Sequence, residues 1–230
     1  MPIDTNVRVP DKEALDAFAQ MAVKLGFTGF ASPLSMSDPI EKLENEVTLL
    51  ARTDVNEKGI RAVSRAVEKA RSSSTVISVP LGESRVVNWA AEDSRVDLLS
   101  VPYPLKGVSL RKTTAKLAAA SDTALEVSIA PLLGVSGLTR SKVVKVLRET
   151  TQTALDAGMP IVLSSGSDSP ITMRSPRALC YVGLLLGLDW HGSEKAVYEN
   201  PDRIFERNKR RLGPDYVGPG VEIVERGDPS

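Results

Sequence analysis

The sequence predicts an α/β protein, a small β/α (TIM-like) barrel with about seven parallel strands, and three observations carry that reading. Seven short apolar segments, residues 3–7, 26–31, 46–51, 74–79, 96–101, 124–129 and 160–163, start mostly about 20 to 36 residues apart, the spacing of repeated βαβ units. "STVISVP", "RVDLLSV" and "PIVLSS" are nearly unbroken apolar runs, as expected of parallel strands buried on both faces. The intervening segments read as amphipathic helices. Seven strand–helix units in about 210 residues suit a small barrel. Periodicity does not report closure, so an open doubly wound sheet is the alternative.

Individual elements carry their own signals. In the helix after Asn56, Ile60, Val63, Val67 and Ala70 are expected to turn inward, while Arg61, Arg65 and Lys69 form an outer row. In "SKVVKVLRETTQTALDAG", Val143, Leu147, Thr151, Ala154 and Leu155 share one face, Lys142, Lys145 and Arg148 lie on another, and Gly158 marks the end. "SPRALCYVGLLLGL" starts with Ser175 as N-cap and Pro176 at the first helical position. The barrel domain is expected to occupy residues 1–212. Residues 213–230, rich in Gly and Pro, are expected to form a flexible tail.

Composition narrows the chemistry. The 230 residues are 42% hydrophobic and 25% charged, ordinary values for a globular protein. The longest apolar run, Ala178–Leu188, is a core helix by length and too short for a membrane span. The first residues lack the basic-then-apolar pattern of a signal peptide. One cysteine, Cys180, rules out a disulfide within the chain, and a reducing, cytoplasmic setting is expected. The formal net charge of zero hides an asymmetry. Residues 106–148 hold eight Lys/Arg against two acids, and residues 203–211 hold five against one. Such basic patches permit contact with a polyanion on one side.

Catalytic motifs are scarce. His191 is the single histidine, too few imidazoles and thiols for a zinc hydrolase. For a carboxylate-built magnesium site, only Asp4 and Asp168 stand at strand ends. Ser165, Asp189 and His191 follow the chain order of an α/β-hydrolase triad, but the G-x-S-x-G elbow is absent. His191 is expected instead to begin one helix or cap another. No Walker A sequence or G-x-G-x-x-G occurs.

One stretch stands out. "PIVLSSGSDSPITMRSPRAL", residues 160–179, puts five serines, Gly166, Arg174 and Arg177 between a strand and a helix. Hydroxyls and loop N–H groups can donate to phosphate oxygens, Gly166 admits close backbone approach, and the arginines can grip an anion with two donors each. The plainer reading is that the serines cap the turn and the arginines are solvated.

That stretch, with "STVISVPLGESRVVNWAAEDSRVDLLSVP" and "TALEVSIAPLLG", resembles archaeal ribonuclease P protein component 3, counterpart of the thirty-kilodalton eukaryotic subunit. The likeness covers roughly residues 1–210. Its most specific pieces are Ser164-Ser165-Gly166 with Arg174-Ser175-Pro176-Arg177, then Arg85 and Asp97-Leu98-Leu99. The resemblance implies a barrel distantly similar to metal-dependent phosphoesterases of the polymerase and histidinol phosphatase type. Those carry H-x-H where this chain has Asp4-Thr5-Asn6, so it implies a barrel without their metal centre. It also implies a subunit of the enzyme that removes the 5′ leader of precursor tRNA. The RNA would carry magnesium and the chemistry, with no cofactor or catalytic residue on this chain. Ribonuclease P RNA and protein component 2 would be its partners, and precursor tRNA an indirect one. The expected RNA or phosphate contacts are Ser164, Ser165, Gly166, Arg174 and Arg177, with Arg111, Lys112 and Lys116 as a second group. An independent metal-dependent phosphoesterase using Asp4 and Asn6 is the alternative.

Overall fold

All seven expected strands form, and they lie parallel around a nearly closed barrel. The structure, a computed structural model, describes residues 2–105, 107–214, 216–218 and 221–222. In chain order the elements are β1 (Ile3–Asp4), α1 (Leu15–Leu25), β2 (Gly29–Ser32), β3 (Ile40–Lys42), β4 (Thr48–Asp54), α2 (Ile60–Arg71), β5 (Val76–Pro80), α3 (Ser84–Glu92), β6 (Leu98–Ser100), α4 (Lys112–Ala120) and β7 (Ala124–Ser128). There follow α5 (Ala130–Leu133), α6 (Gly137–Asp156), β8 (Ile161–Ser164), a 3₁₀ turn (Pro170–Thr172), α7 (Pro176–Leu185), α8 (Trp190–Glu194), a π-helical segment (Lys195–Glu199) and α9 (Asn200–Arg211). A short antiparallel pair, β9 (Tyr216–Gly218) and β10 (Val221–Glu222), comes after them. The rest of the tail expected at 213–230 lies outside the described residues, as does Lys106.

The parallel path runs β1-β2-β4-β5-β6-β7-β8, and β3, which carries no sequence signal, pairs antiparallel with β4 outside that path. The open-sheet alternative is overturned at the β1–β8 seam. The Gly166 N–H donates to the Asn6 carbonyl at 2.9 Å and the Arg8 N–H to the Ser167 carbonyl at 2.7 Å, and Val7 bridges Ser167 in parallel. A carboxylate completes the seam, with Asp4 Oδ1 accepting from the Ser165 N–H at 3.0 Å.

Two apolar layers follow from the alternation of side chains along each strand. Phe30, Leu49, Ile77, Leu99, Leu125 and Leu163 face outward and pack on Phe18, Val63, Val67, Ala90, Ala118 and Leu147 of the surrounding helices. Ile3, Leu50, Val76, Leu98, Ala124 and Val162 fill the lower interior, where Ile204 and Phe205 of α9 close the bottom. The helix faces agree with expectation at Val63, Val67, Ala70, Val143, Leu147, Thr151 and Ala154, all buried. They fail at Ile60 and Leu155, which are 39% and 38% exposed. Ile60 is the first residue of its helix and Leu155 lies in the last turn of its own, where the chain is leaving the sheet. Ser175 caps α7 by accepting from the Ala178 N–H at 3.3 Å, with Pro176 opening the helix. His191 lies in the first turn of α8 as its second residue, behind the Asp189 N-cap and Trp190, so it stands at a helix start without being the cap.

Candidate nucleic-acid interface

The serine-rich loop is built for closure more than for display. Ser164 and Ser165 are fully buried. Ser164 Oγ shares a hydrogen bond with Ser128 Oγ at 2.9 Å, and Ser165 Oγ donates to the Asn6 carbonyl at 3.3 Å while accepting from the Ser167 N–H at 3.2 Å. Their hydroxyls therefore face the seam, away from any passing phosphate. Gly166 has a positive φ of 64°, and a Cβ there would stand 2.8 Å from Ser128 Cβ, so the position accepts only glycine comfortably. Arg174 is half-buried and folds back, Nη1 donating to the carbonyls of Ile171 and Met173 at 3.0 and 2.8 Å. Arg177, on the first turn of α7, is exposed.

The cations of the second group belong to a wider belt. Arg111 precedes α4 and Lys112 and Lys116 lie on it, and all three are exposed. Helix α4 packs between α3 and α6, and α3 packs on α2. Along that row of neighbours the exposed side chains include Lys58, Arg61, Arg65, Arg85, Arg140, Lys142, Lys145 and Arg148. Lys58, Arg61, Arg65 and Arg85 converge on a cleft of about 630 Å³ between the starts of α2 and α3, with Glu83 as its one acid. Among the described residues none of these four forms a salt bridge. The outer row on α2 is legible in the sequence. Its meeting with Arg85 depends on which helices stand side by side.

By contrast, the basic run at 203–211 is largely taken up internally. Asp97, fully buried, accepts from Arg71 Nη1 at 2.9 Å, Arg207 Nη2 at 2.8 Å, Asn208 Nδ2 at 2.7 Å and the Ile77 N–H at 2.8 Å. Asp122 takes Arg203 and Arg207 at 2.8 and 3.0 Å. These bonds pin α9 across the barrel bottom, so Arg203 and Arg207 serve the fold.

At the opposite end, above the apolar floor, the barrel interior turns polar. Arg52 and Glu126, both side chains fully buried, form a two-pronged pair at 2.8 and 2.7 Å. Thr5 Oγ1 donates to Glu126 Oε1 at 2.5 Å, Arg52 Nη1 also reaches the Thr5 carbonyl, and Arg52 Nε meets Asp54 at 2.8 Å. Burial works against the Arg52 charge, but Glu126 and Asp54 overcome it and hold the guanidinium above its ordinary range. Burial pushes the Asp4 carboxyl up to about 6, against hydrogen bonds from Ser165 and the Asn6 N–H, with the Glu126 charge adding to the rise. Over this network opens a cleft of about 550 Å³ at the C-terminal ends of the strands, the position where β/α barrels carry their active sites.

The residues at that mouth do not assemble the chemistries considered from sequence. No hydrogen bond joins Ser165 to His191, which is exposed on α8, so the Ser…Asp…His order has no geometric counterpart. Among the described residues no three His, Cys, Asp or Glu side chains converge as a cation-binding group. At the Asp4-Thr5-Asn6 position Asp4 holds the seam, Thr5 supports Glu126, and Asn6 Nδ2 donates to Ser128 Oγ at 3.0 Å. No helix is long and apolar enough to cross a membrane, again among the described residues.

Both the sequence and this architecture have known counterparts. The family model described as "RNase P subunit p30" matches residues 1–212. The chain belongs to the RNase P subunit p30 family. Among relatives of this p30-family protein is ribonuclease P protein component 3 of Methanosarcina barkeri, 32% identical over 226 residues, covering 96% of this chain and 94% of the relative. Its namesake in Methanosarcina mazei is 30% identical over 230 residues, with the same coverages. The p30-family barrel also superposes on a chain of the cryo-EM structure of archaeal ribonuclease P with mature tRNA. There the TM-score is 0.78, the identity 20%, and the match covers 99% of this chain and all of the other, which shows a shared fold.

Proposed function

We propose that this chain acts within ribonuclease P as a protein subunit that steadies the catalytic RNA during removal of the 5′ leader from precursor tRNA. The observation that carries this reading is family membership over residues 1–212. Physical support comes from the belt of exposed cations on α2, α3, α4 and α6, which suits a phosphate backbone. The chain is a scaffold without a catalytic centre, and magnesium and chemistry belong to the RNA. Its partners are the ribonuclease P RNA and the other protein subunits, component 2 among them.

Within this reading the RNA contacts are Arg111, Lys112 and Lys116, joined by Arg177 and, at shorter reach, Arg174. Ser164, Ser165 and Gly166 contribute by holding the seam from which Arg174 and Arg177 project. The metal-dependent phosphoesterase alternative has no family support and no converging donor set among the described residues.

Reconstitution tests the proposal. The RNA and protein subunits, assembled with and without this chain, are compared for precursor cleavage at low magnesium, where loss of phosphate screening is most damaging. Omission should sharply lower cleavage. A triple Arg111→Ala, Lys112→Ala, Lys116→Ala variant should flatten the log–log salt dependence of RNA affinity by about 2 to 3, at roughly 0.7 to 0.9 for each phosphate no longer neutralised. Unchanged cleavage on omission defeats the assignment, and an unchanged salt slope defeats RNA binding through α4.

A further inference from the structure

The cleft at the barrel mouth is not absorbed by the scaffold role. Its volume of about 550 Å³ falls in the ordinary range of small-molecule sites, and its walls mix apolar surface with a few polar groups. Two rim residues stand out. Tyr103 is 55% exposed, an aromatic ring held at the edge of a pocket. Arg8 has its side chain half exposed and gives one Nη2 bond, at 3.3 Å, to Asp54. Asp54 is already held by Arg52 at 2.8 Å, so Arg8 is the looser partner, and its remaining side-chain N–H donors are left to whatever occupies the cleft.

Deeper in, Asn6 lines the same cleft and is only 4% exposed. Its Nδ2 is bonded to Ser128 Oγ, and its Oδ1 has no hydrogen-bond partner. Whichever way the amide is turned, one polar atom of Asn6 is left over, at a depth where an unmet hydrogen-bonding group is unfavourable. Gly166 lines the same cleft, packed so closely that a Cβ there would stand 2.8 Å from Ser128 Cβ. A ligand suited to this arrangement offers a flat face to Tyr103, a hydrogen-bonding edge to Asn6 and an anion to Arg8.

We propose that the barrel mouth binds one nucleotide, its base stacked on Tyr103 and edge-bonded to Asn6, its phosphate held by Arg8. The same chemistry is offered by a free nucleoside monophosphate and by an unpaired residue of an RNA strand. Stacking on an aromatic ring is indifferent to base identity, so any selectivity resides in Asn6. Such binding does not depend on the ribonuclease P role, because it requires only the cleft and its lining.

The test uses the full chain. The four nucleoside 5′-monophosphates, the corresponding nucleosides and a single-stranded tetraribonucleotide are titrated by calorimetry, against the wild type and the rim variants Tyr103→Ala and Arg8→Ala. Neither rim residue supports the core. Tyr103→Ala should weaken nucleotide and nucleoside alike by roughly 5- to 150-fold, the range of alanine substitutions at base-stacking rings. Arg8→Ala should weaken the monophosphates and leave the nucleosides unchanged. Tetranucleotide binding with the same sensitivities assigns the site to RNA, and monophosphate binding alone assigns it to a free nucleotide. No binding of either at millimolar concentration, or binding indifferent to both variants, overturns the proposal. In that case wild-type stimulation of precursor cleavage would still stand, so the two failures are distinguishable.

Discussion

Asp4 offers the sharpest physical test of how the barrel closes. Its carboxyl is fully buried at the β1–β8 seam, accepts from the N–H groups of Ser165 and Asn6 through Oδ1, and leaves Oδ2 without a partner. Burial raises it from 3.8 to about 6. The native state therefore keeps a proton that the unfolded chain releases near 3.8. Between about pH 4 and pH 6 the native state binds more protons, so stability falls as pH rises through that window and levels off above it. At about 1.4 kcal/mol for each tenfold change in acidity, the loss is about 3 kcal/mol. Asp4→Asn keeps the acceptor for Ser165 and Asn6 and cannot ionise. Urea unfolding of both proteins from pH 4 to pH 7 should therefore show the variant gaining about 2 kcal/mol relative to wild type, the part of that loss that falls within the range. Comparing the two cancels other titrating groups. A constant difference between the proteins would refute the argument that Asp4 is forced toward its neutral form by the closed seam.

Two other substitutions probe neighbouring features. Glu126→Ala removes the two-pronged partner of the buried Arg52 and leaves only Asp54 to balance its charge, so it should cost about 3 kcal/mol in urea unfolding, whereas the double change Arg52→Met, Glu126→Leu should recover most of it. Gly166→Ala meets both a left-handed backbone and Ser128, so it should lower the melting temperature more than Gly158→Ala, where φ is 72° but no atom lies within 4 Å.

The seven strands are legible because each is a local pattern. Residues 74–79 and 96–101 announce strands by composition alone; β6 forms within the second, and β5 starts inside the first and runs one residue past it to Pro80. Ser175 and Pro176 announce α7 because a cap needs only residues adjacent in the chain. Strand β3 is not legible: "IEK" is short, with Ile40 half-buried and Glu41 and Lys42 exposed, and it exists because β4 offers it an edge. The candidate contacts divide in the same way. Arg111, Lys112 and Lys116 are exposed cations in the sequence and in the fold. Ser164 and Ser165 look like phosphate donors in isolation, yet the seam claims their hydroxyls. Arg203 and Arg207 look like a basic patch until Asp97 and Asp122, more than 80 positions earlier in the chain, take them.

By itself, then, the order of residues determined the strand–helix alternation, the parallel sheet and the family, because these follow from spacing, side-chain period and motifs read along the chain. Tertiary structure alone decided that the sheet closes, that Arg52 and Glu126 meet inside it, and that α2, α3, α4 and α6 set their cations side by side. Closure and pairing bring together groups from distant positions, and whether a charge is free or neutralised depends on what the folded chain places within a few ångströms of it.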